Sequence, residues 1–487
     1  MVTFWLCLAL LVTAYFTYAK YIQRLFGADR NRPVPSATRF DGVDYIPMPA
    51  WKTFLIQFLN IAGLGPIFGA ILGATFGPVV FLWITFGGIF IGAVQDYASG
   101  MMSIAHQGLS FPEIVGIYLG KNFKQFLRIF TVLLMVLVGA VFMKGPAEIL
   151  AGMTGLNIDV WVYIILIYYI LATLLPIDKI IGRVYPVFGF ALLFMAAGIF
   201  AAILFGDYTI PELTAGTFRN MKTDPETFPL FPTLFITVAC GAVSGFHATQ
   251  SPLMARCVTN EMQGRPVFFG AMIVESIVAL IWAAAGMAFF GGVEALNGQL
   301  AQHGNNAGWA VDVISNTTLG KFGAILALLG VVFAPITSGD TAFRSARLIV
   351  ADFMAVEQRS IRKRLWISIP LFVVGFGITL INFDVIWRYF AWANQTLAAA
   401  ALWAVTVYLA SKGKNFYIAF FPAVLMTMIV FTYVFTSGQM LGKLGIPYHA
   451  GVTAGGAVTL AVTGYLTVLI KKYTDDAKTQ LRATAGQ

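Results

Sequence analysis

Apolar runs long enough to cross a bilayer, which takes about 20 helical residues, recur along the whole chain. They lie near residues 2–22, 51–76, 78–105, 126–145, 157–175, 184–206, 230–253, 265–291, 321–352, 364–382, 385–411, 416–436 and 449–471, and they predict thirteen transmembrane helices. Two of these runs are interrupted near the middle. Trp51 to Phe76 is broken at Asn60-Ile-Ala-Gly63-Leu-Gly65-Pro66, and Pro229 to Pro252 is broken at Gly241-Ala-Val-Ser244-Gly245-Phe-His247. A helix in lipid satisfies its own backbone hydrogen bonds, so a break at membrane depth survives only where protein or a water-filled cavity surrounds it. Paired breaks in corresponding positions of two halves mark the binding site of secondary transporters. Close helix packing produces the same pattern without a ligand, because small residues let backbones approach, and the chain holds 48 glycines.

Loop charge orients the helices. The loop 23–50 carries Arg24, Arg30, Arg32 and Arg39, with Lys20 and Lys52 at its margins, and the segment 353–364 carries Arg359, Arg362, Lys363 and Arg364. Lys121, Lys124, Arg183, Arg256, Arg265, Lys412, Lys414, Lys471 and Lys472 fall on the same side when the N-terminus is outside and the C-terminus inside. Basic loops face the cytoplasm in membrane proteins. Asp207, Glu212, Asp224, Glu226, Glu294 and Asp312 then lie in the outer loops. Pro33, Pro35, Pro47 and Pro49 mark the first long loop as non-helical.

This topology contains a repeat. Residues 51–206 and 230–411 each supply five helices, each unit opens with a broken one, and the two units enter the membrane from opposite sides. Gly63 and Gly241 are 178 positions apart. The expected fold is an all-α integral membrane protein with an inverted five-plus-five core. Residues 1–50 add one helix and a cytoplasmic loop, and residues 412–487 add two helices and a short tail.

Composition agrees with this class. The 487 residues are 59% hydrophobic and only 11% charged, with mean hydropathy +0.80, outside the range of soluble domains. The net charge of +9 would suggest nucleic acid in a soluble protein; here it follows from basic cytoplasmic loops, and no nucleic-acid partner is expected. Cys7, Cys240 and Cys257 stand at no metal-binding spacing, so no metal is expected beyond a coupling ion. Val2 to Ile22 lacks a basic leader and a small-residue cleavage site and reads as a retained helix. No Gly-x-x-x-x-Gly-Lys-Ser/Thr string is present, which argues against direct driving by ATP.

Ionisable groups inside spans are costly and mark function. Asp96, His247 and Asp340 stand at similar depths, all on helices predicted to run from outside to inside. Histidine changes charge near physiological pH, which suits proton coupling through His247, Asp340 and Asp96. Structural pairing is the alternative: Arg344 lies one turn from Asp340, and Gln95 and Tyr97 flank Asp96. Thr337, Ser338 and Thr341 offer clustered hydroxyls for a sodium ion, although such hydroxyls also bond back to helix carbonyls. Asn394 and Gln395 read as interhelical hydrogen-bond partners. Glu275 and Lys144 read as buried pairing or snorkelling groups.

Five strings are similar to a known family: Asn60-Ile-Ala-Gly-Leu-Gly-Pro-Ile-Phe-Gly69, Gly92-Ala-Val-Gln-Asp-Tyr97, His247-Ala-Thr-Gln-Ser-Pro-Leu-Met-Ala-Arg-Cys257, Thr337-Ser-Gly-Asp-Thr-Ala-Phe-Arg-Ser-Ala-Arg347 and Ala393-Asn-Gln-Thr-Leu-Ala-Ala399. They resemble the carbon starvation protein A family of the amino acid–polyamine–organocation superfamily. The chain departs from the long family members by its shorter length, and Leu64 and Ala70 stand where a smaller residue and a proline are expected. The resemblance implies a leucine-transporter-like fold in a bacterial or archaeal plasma membrane, and proton-driven uptake of a peptide or pyruvate.

The expected mechanism is alternating access around the two breaks, with no cofactor other than a proton or sodium ion. Half-helix N-termini present free N–H groups and a positive dipole end to a substrate carboxylate. Gln57, Asn60, Gly63, Gly65 and Pro66 at the first break, and Gly241, Ser244, Gly245 and His247 at the second, are the candidate substrate contacts. Rival readings are an intramembrane aspartyl hydrolase using Asp96 and Asp340 as a dyad, a channel, and a nutrient sensor. The hydrolase lacks a Gly-x-Gly-Asp string, the channel lacks a charged ring or carbonyl filter, and the sensor lacks a signalling domain.

Overall fold

The computed structural model describes residues 1–174, 181–358 and 360–485. Among these residues all regular structure is helical. Arg359, and the last residue of the run 157–175, lie outside the described residues.

The N-terminal helix α1 (Val2–Phe26) lies at the periphery, and the broken span follows as α2 (Ala50–Ile61) and α3 (Gly65–Ala74), bent by 56°. The bend has a covalent cause. Pro66 has no N–H to continue the ladder, so the chain turns tightly, with the Ile67 and Phe68 N–H groups bonding back to the Leu64 carbonyl at 3.2 and 2.8 Å. Then come α4 (Val80–Ala105), α5 (Phe111–Leu119), α6 (Lys121–Thr154), α7 (Ile158–Leu174) and α8 (Ile181–Phe205). α6 outlasts its predicted run 126–145 because it continues through Pro146, a residue that neighbouring helices make tolerable in membranes. In the first loop, Pro35–Thr38 forms one helical turn, an exception to the expected non-helical loop, with Pro35 at the first position, where its missing N–H costs nothing.

After the loop come α9 (Leu230–Thr237) and α10 (Gly245–Ala255), separated by a break. Gly241 holds φ +84°, a conformation that side chains bearing Cβ rarely adopt. α11 (Glu261–Phe289), α12 (Val293–Gln302), α13 (Ala307–Ala327), α14 (Ala334–Met354), α15 (Ile361–Thr379) and α16 (Phe383–Ser411) follow. The chain ends with α17 (Tyr417–Thr436) and α18 (Tyr448–Ala485). α18 outruns its predicted 449–471 because the helix continues into the polar tail.

Among the described residues, eight helices are long and apolar enough to span a membrane, or nine with the bent pair counted as one span. Burial separates core from rim. The most apolar window of α16 is 94% buried and that of α11 89%, against 22% for α18 and 28% for α1. The two broken spans meet at the centre of this core. A Cβ on Gly65 would lie 2.2 Å from Cys240 Cβ, and one on Gly245 would lie 2.2 Å from the Asn394 carbonyl oxygen. Close packing and chain breaking therefore coincide in the same glycines.

Candidate functional site at the two breaks

Three helices deliver one charged cluster to the second break. His247, on the first turn of α10, places Nδ1 3.0 Å from Asp96 Oδ2 of α4, and Nε2 3.4 Å from Glu275 Oε2 of α11; all three side chains are fully buried. The other oxygen of Glu275 accepts a hydrogen bond from the Gly241 N–H at 3.0 Å. One carboxylate thus touches both the histidine and the backbone at its left-handed turn. Sequence reasoning placed Glu275 among pairing groups and missed this position. The available signal was that Glu275 is the one charged residue in the run Pro266 to Gly291.

Asp96 differs from expectation. Its bonded partner is His247, because Gln95 Nε2 turns to the Ser244 carbonyl oxygen at 2.5 Å, and the buried Tyr97 hydroxyl has no hydrogen-bond partner among the described residues. The Tyr97 ring packs edge-on against Phe26 instead.

The start of α10 is capped from another helix. Asn394 of α16 accepts a hydrogen bond from the Phe246 N–H at 2.6 Å and exchanges hydrogen bonds with the Ser244 hydroxyl at 3.0 and 3.2 Å. The free N–H groups expected at the half-helix N-termini are therefore occupied at three positions: Gly241 by Glu275, Phe246 by Asn394, and Ile67 by Leu64. Buried backbone donors in a low-dielectric interior must be paired, and here the protein itself supplies the acceptors. Gln395 reaches the Phe235 carbonyl at 2.8 Å, so both residues of the Asn-Gln pair are interhelical partners. Lys144 donates to the Ile381 carbonyl at 2.5 Å.

Unpaired polar atoms collect around the breaks. Among the described residues, Gln57 Oε1, both amide atoms of Asn60, Gln95 Oε1, Asp96 Oδ1, His247 Nε2 and Glu275 Oε2 are buried without a hydrogen bond, while Gln57 Nε2 donates to Ser251 Oγ at 3.2 Å. Each such atom costs about 1–3 kcal/mol. The arrangement is one that a ligand, water or proton completes. Cys240, His247 and Glu275 also bring one ligand atom each to within 4.8 Å of one another, a set able to hold a soft divalent ion; the distance of Glu275 from the other two in sequence hid this grouping.

Asp340 belongs to a different cluster. Its Oδ2 accepts from the Tyr185 hydroxyl at 3.1 Å, and the same hydroxyl donates to the Thr337 carbonyl at 3.0 Å. Arg344 forms its ion pair with Asp44 of the first loop at 3.3 Å, and Arg347 lies 3.7 Å from the same carboxylate. Burial works to raise the Asp44 carboxyl, but Arg347, Arg344 and Arg256 outweigh it and hold it below the ordinary carboxylate range. The aspartyl dyad has no support, since Asp96 and Asp340 are bonded to different partners. The candidate sodium hydroxyls bond back to carbonyls: Thr337 to Ala334 at 2.7 Å and Thr341 to Ser338 at 2.9 Å. Ser338 donates to both Ala334 and Leu59, at 3.1 and 2.9 Å, tying α14 to the end of α2 beside the first break.

The same fold occurs in solved transporters of distant sequence. A manganese transporter from Eremococcus coleocola superposes with TM-score 0.55 at 12% identity, covering 91% of this chain and 99% of its own. The protein MhsT, in complex with L-phenylalanine, gives TM-score 0.54 at 12% identity, covering 86% and 98%. The chain is a multi-pass membrane protein with the leucine-transporter-like fold, a secondary transporter rather than an enzyme. It belongs to the carbon starvation protein CstA family, whose model matches residues 1–152, 145–320 and 310–433. An uncharacterized membrane protein of Haemophilus influenzae is 42% identical over 346 residues, covering 61% of this chain and 93% of that protein. The peptide transporter CstA of Bacillus subtilis is 24% identical over 495 residues, covering 81% and 83%. The pyruvate/proton symporter BtsT of Escherichia coli is 28% identical over 332 residues, covering 55% of this chain and 46% of its own length.

Proposed function

We propose that the protein imports a small carboxylate-bearing nutrient, a peptide or pyruvate, by proton symport with alternating access around the two breaks. The observation that carries this reading is the facing pair His247 Nε2 and Glu275 Oε2, 3.4 Å apart, buried, and without a hydrogen bond between them. Two lone-pair atoms in that position are satisfied by one proton. The same Glu275 holds the Gly241 N–H, so its protonation weakens an acceptor at the break and removes a negative charge beside it. A substrate carboxylate then takes the released N–H group, and Asn60, Gln57 and Ser244 are the candidate partners for its remaining atoms. Proton and anion bind together because each relieves the repulsion the other would meet.

In this reading the N-terminus is outside, the basic loops are cytoplasmic, and the site opens alternately to either face of the plasma membrane. Asp340 and the Tyr185 hydroxyl form a second candidate relay. A sodium ion is the alternative coupling ion, with Thr337, Ser338 and Thr341 as its candidate ligands once their hydroxyls leave the carbonyls they bond here.

Counterflow in liposomes with labelled pyruvate and with a labelled dipeptide, with and without an inward pH gradient, tests the assignment. Exchange of at least one substrate and gradient-driven accumulation are expected. Transport of neither substrate overturns the substrate class. Accumulation that follows a sodium gradient alone overturns proton coupling.

A further inference from the structure

A cavity of about 370 Å³ lies between α3, α9, α16 and α17, beneath the loop 206–229. Its floor includes Thr237, the last residue of α9 before the second break, and its wall includes Phe76, just beyond α3. It therefore sits between the second half of the first broken span and the first half of the second. Loop charge assigns this side to the exterior.

The cavity has an unbalanced charge. Lys222 and Arg388 both line it, and among the described residues no Asp or Glu does. Among the described residues neither cation has a carboxylate within ion-pair distance. Lys222 Nζ donates to the Thr75 hydroxyl at 2.9 Å and stands over the rings of Phe76 and Phe228, 5.6 and 5.7 Å from their centroids. The Arg388 guanidinium faces the neutral amide of Gln439. Burial, and then the nearby Arg388, push the Lys222 ammonium down to about 8. Two like charges in one partly enclosed space repel unless a counter-charge joins them. The remaining lining mixes aromatic and hydroxylic side chains such as Trp387, Thr233 and Tyr433 with aliphatic ones such as Leu72 and Ile236, which suits an anion with a short apolar body.

We propose that this cavity is an outer binding vestibule for a small carboxylate, which Lys222 and Arg388 hold before the breaks receive it. The inference rests on the carboxylate-substrate reading above, and it adds a second, external site on the substrate's path. Charge-assisted hydrogen bonds to a carboxylate are stronger than neutral ones, so the vestibule raises the occupancy of anions near the break without taking part in proton coupling.

The test measures external KM and kcat for pyruvate counterflow in liposomes, with wild type, Lys222→Gln, Arg388→Gln and the charge-keeping Lys222→Arg. Direct binding of labelled pyruvate to the purified full chain runs beside it, with acetate, phosphate and chloride as competitors. Each neutral variant is expected to raise KM roughly tenfold with kcat unchanged, and Lys222→Arg to stay within about twofold of wild type. If one neutral variant fails to give monodisperse protein, the other carries the test. Unchanged KM in a folded neutral variant, with wild-type transport intact, overturns the vestibule alone. Displacement by chloride or phosphate as effective as by acetate also overturns it, making the cavity a general anion trap. Absence of wild-type counterflow with pyruvate, repeated with a dipeptide, is instead the failure of the substrate reading.

Discussion

Glu275 Oε1 accepts the Gly241 N–H hydrogen bond at 3.0 Å, so a carboxylate on α11 holds the second break in its bent form. Its other oxygen faces His247, and the two contacts make one residue answer to both backbone shape and protonation. Glu275→Gln keeps the size and can still accept the Gly241 N–H, but it cannot release a proton. Counterflow, which needs only exchange, should persist, while accumulation driven by a pH gradient should fall by at least about tenfold. Wild-type accumulation in this variant would remove Glu275 from the coupling path.

His247→Ala should be more damaging than Glu275→Gln. It leaves Asp96 and Glu275 as two buried carboxylates without the imidazole between them, and an uncompensated buried charge costs about 3–5 kcal/mol when its partner is removed. Lower thermal stability together with lost uptake is the expected result. Addition of Asp96→Asn should recover part of the stability and none of the uptake. A double variant no more stable than the single one would show that the His247–Asp96 contact, 3.0 Å in length, is not the source of the loss.

The Asp44 cluster gives a pH dependence of known sign. The Asp44 carboxyl is held below its ordinary range, so its contribution to stability is complete above the unfolded carboxylate value of about 4 and is lost as pH falls through the lower, folded value. Wild type should therefore lose thermal stability as pH falls below about 4. Asp44→Asn, which leaves Arg344 and Arg347 without this counter-charge, should be destabilised by about 3–5 kcal/mol and show a flatter acid profile. Scanning fluorimetry of the purified protein across acidic pH measures both, and parallel profiles for the two proteins would contradict the pairing.

How much of the site was legible in the chain follows from where each residue lies. The breaks were legible because glycine and proline interrupt a helical ladder through their own covalent structure, whatever surrounds them. Asp96, in the unbroken run 78–105, and His247, in the second broken run, stood out as ionisable groups within apolar stretches. Their contact was not legible, because the partners are 151 positions apart and period and spacing are silent on distant pairs. Glu275 was visible as a charge, but a single sequence does not say whether such a side chain faces lipid or the bundle centre. The local rule suggested Asp340 as the partner of Arg344, one turn away. The structure adds an ion pair between Arg344 and Asp44 while Asp340 still acts on the same guanidinium, because the first loop folds back beneath α14 and buries an aspartate that resembles any solvated loop residue.

Gly65 and Cys240 supply the sharpest packing test. A Cβ on Gly65 would stand 2.2 Å from Cys240 Cβ and 2.5 Å from its Sγ, a distance no side-chain rotation relieves. Gly65→Ala should therefore separate the two broken spans and cost about 1–3 kcal/mol through overpacking, with uptake lost. Cys240→Gly removes the obstructing atoms from the other side. On its own it should be mildly destabilising, since it vacates a buried position. Combined with Gly65→Ala it should restore much of the lost stability, a non-additive result that only direct contact between the breaks produces. Thermal unfolding of the four proteins gives the cycle. Additive losses would mean that Gly65 is needed for its backbone conformation at the bend and not for its approach to Cys240.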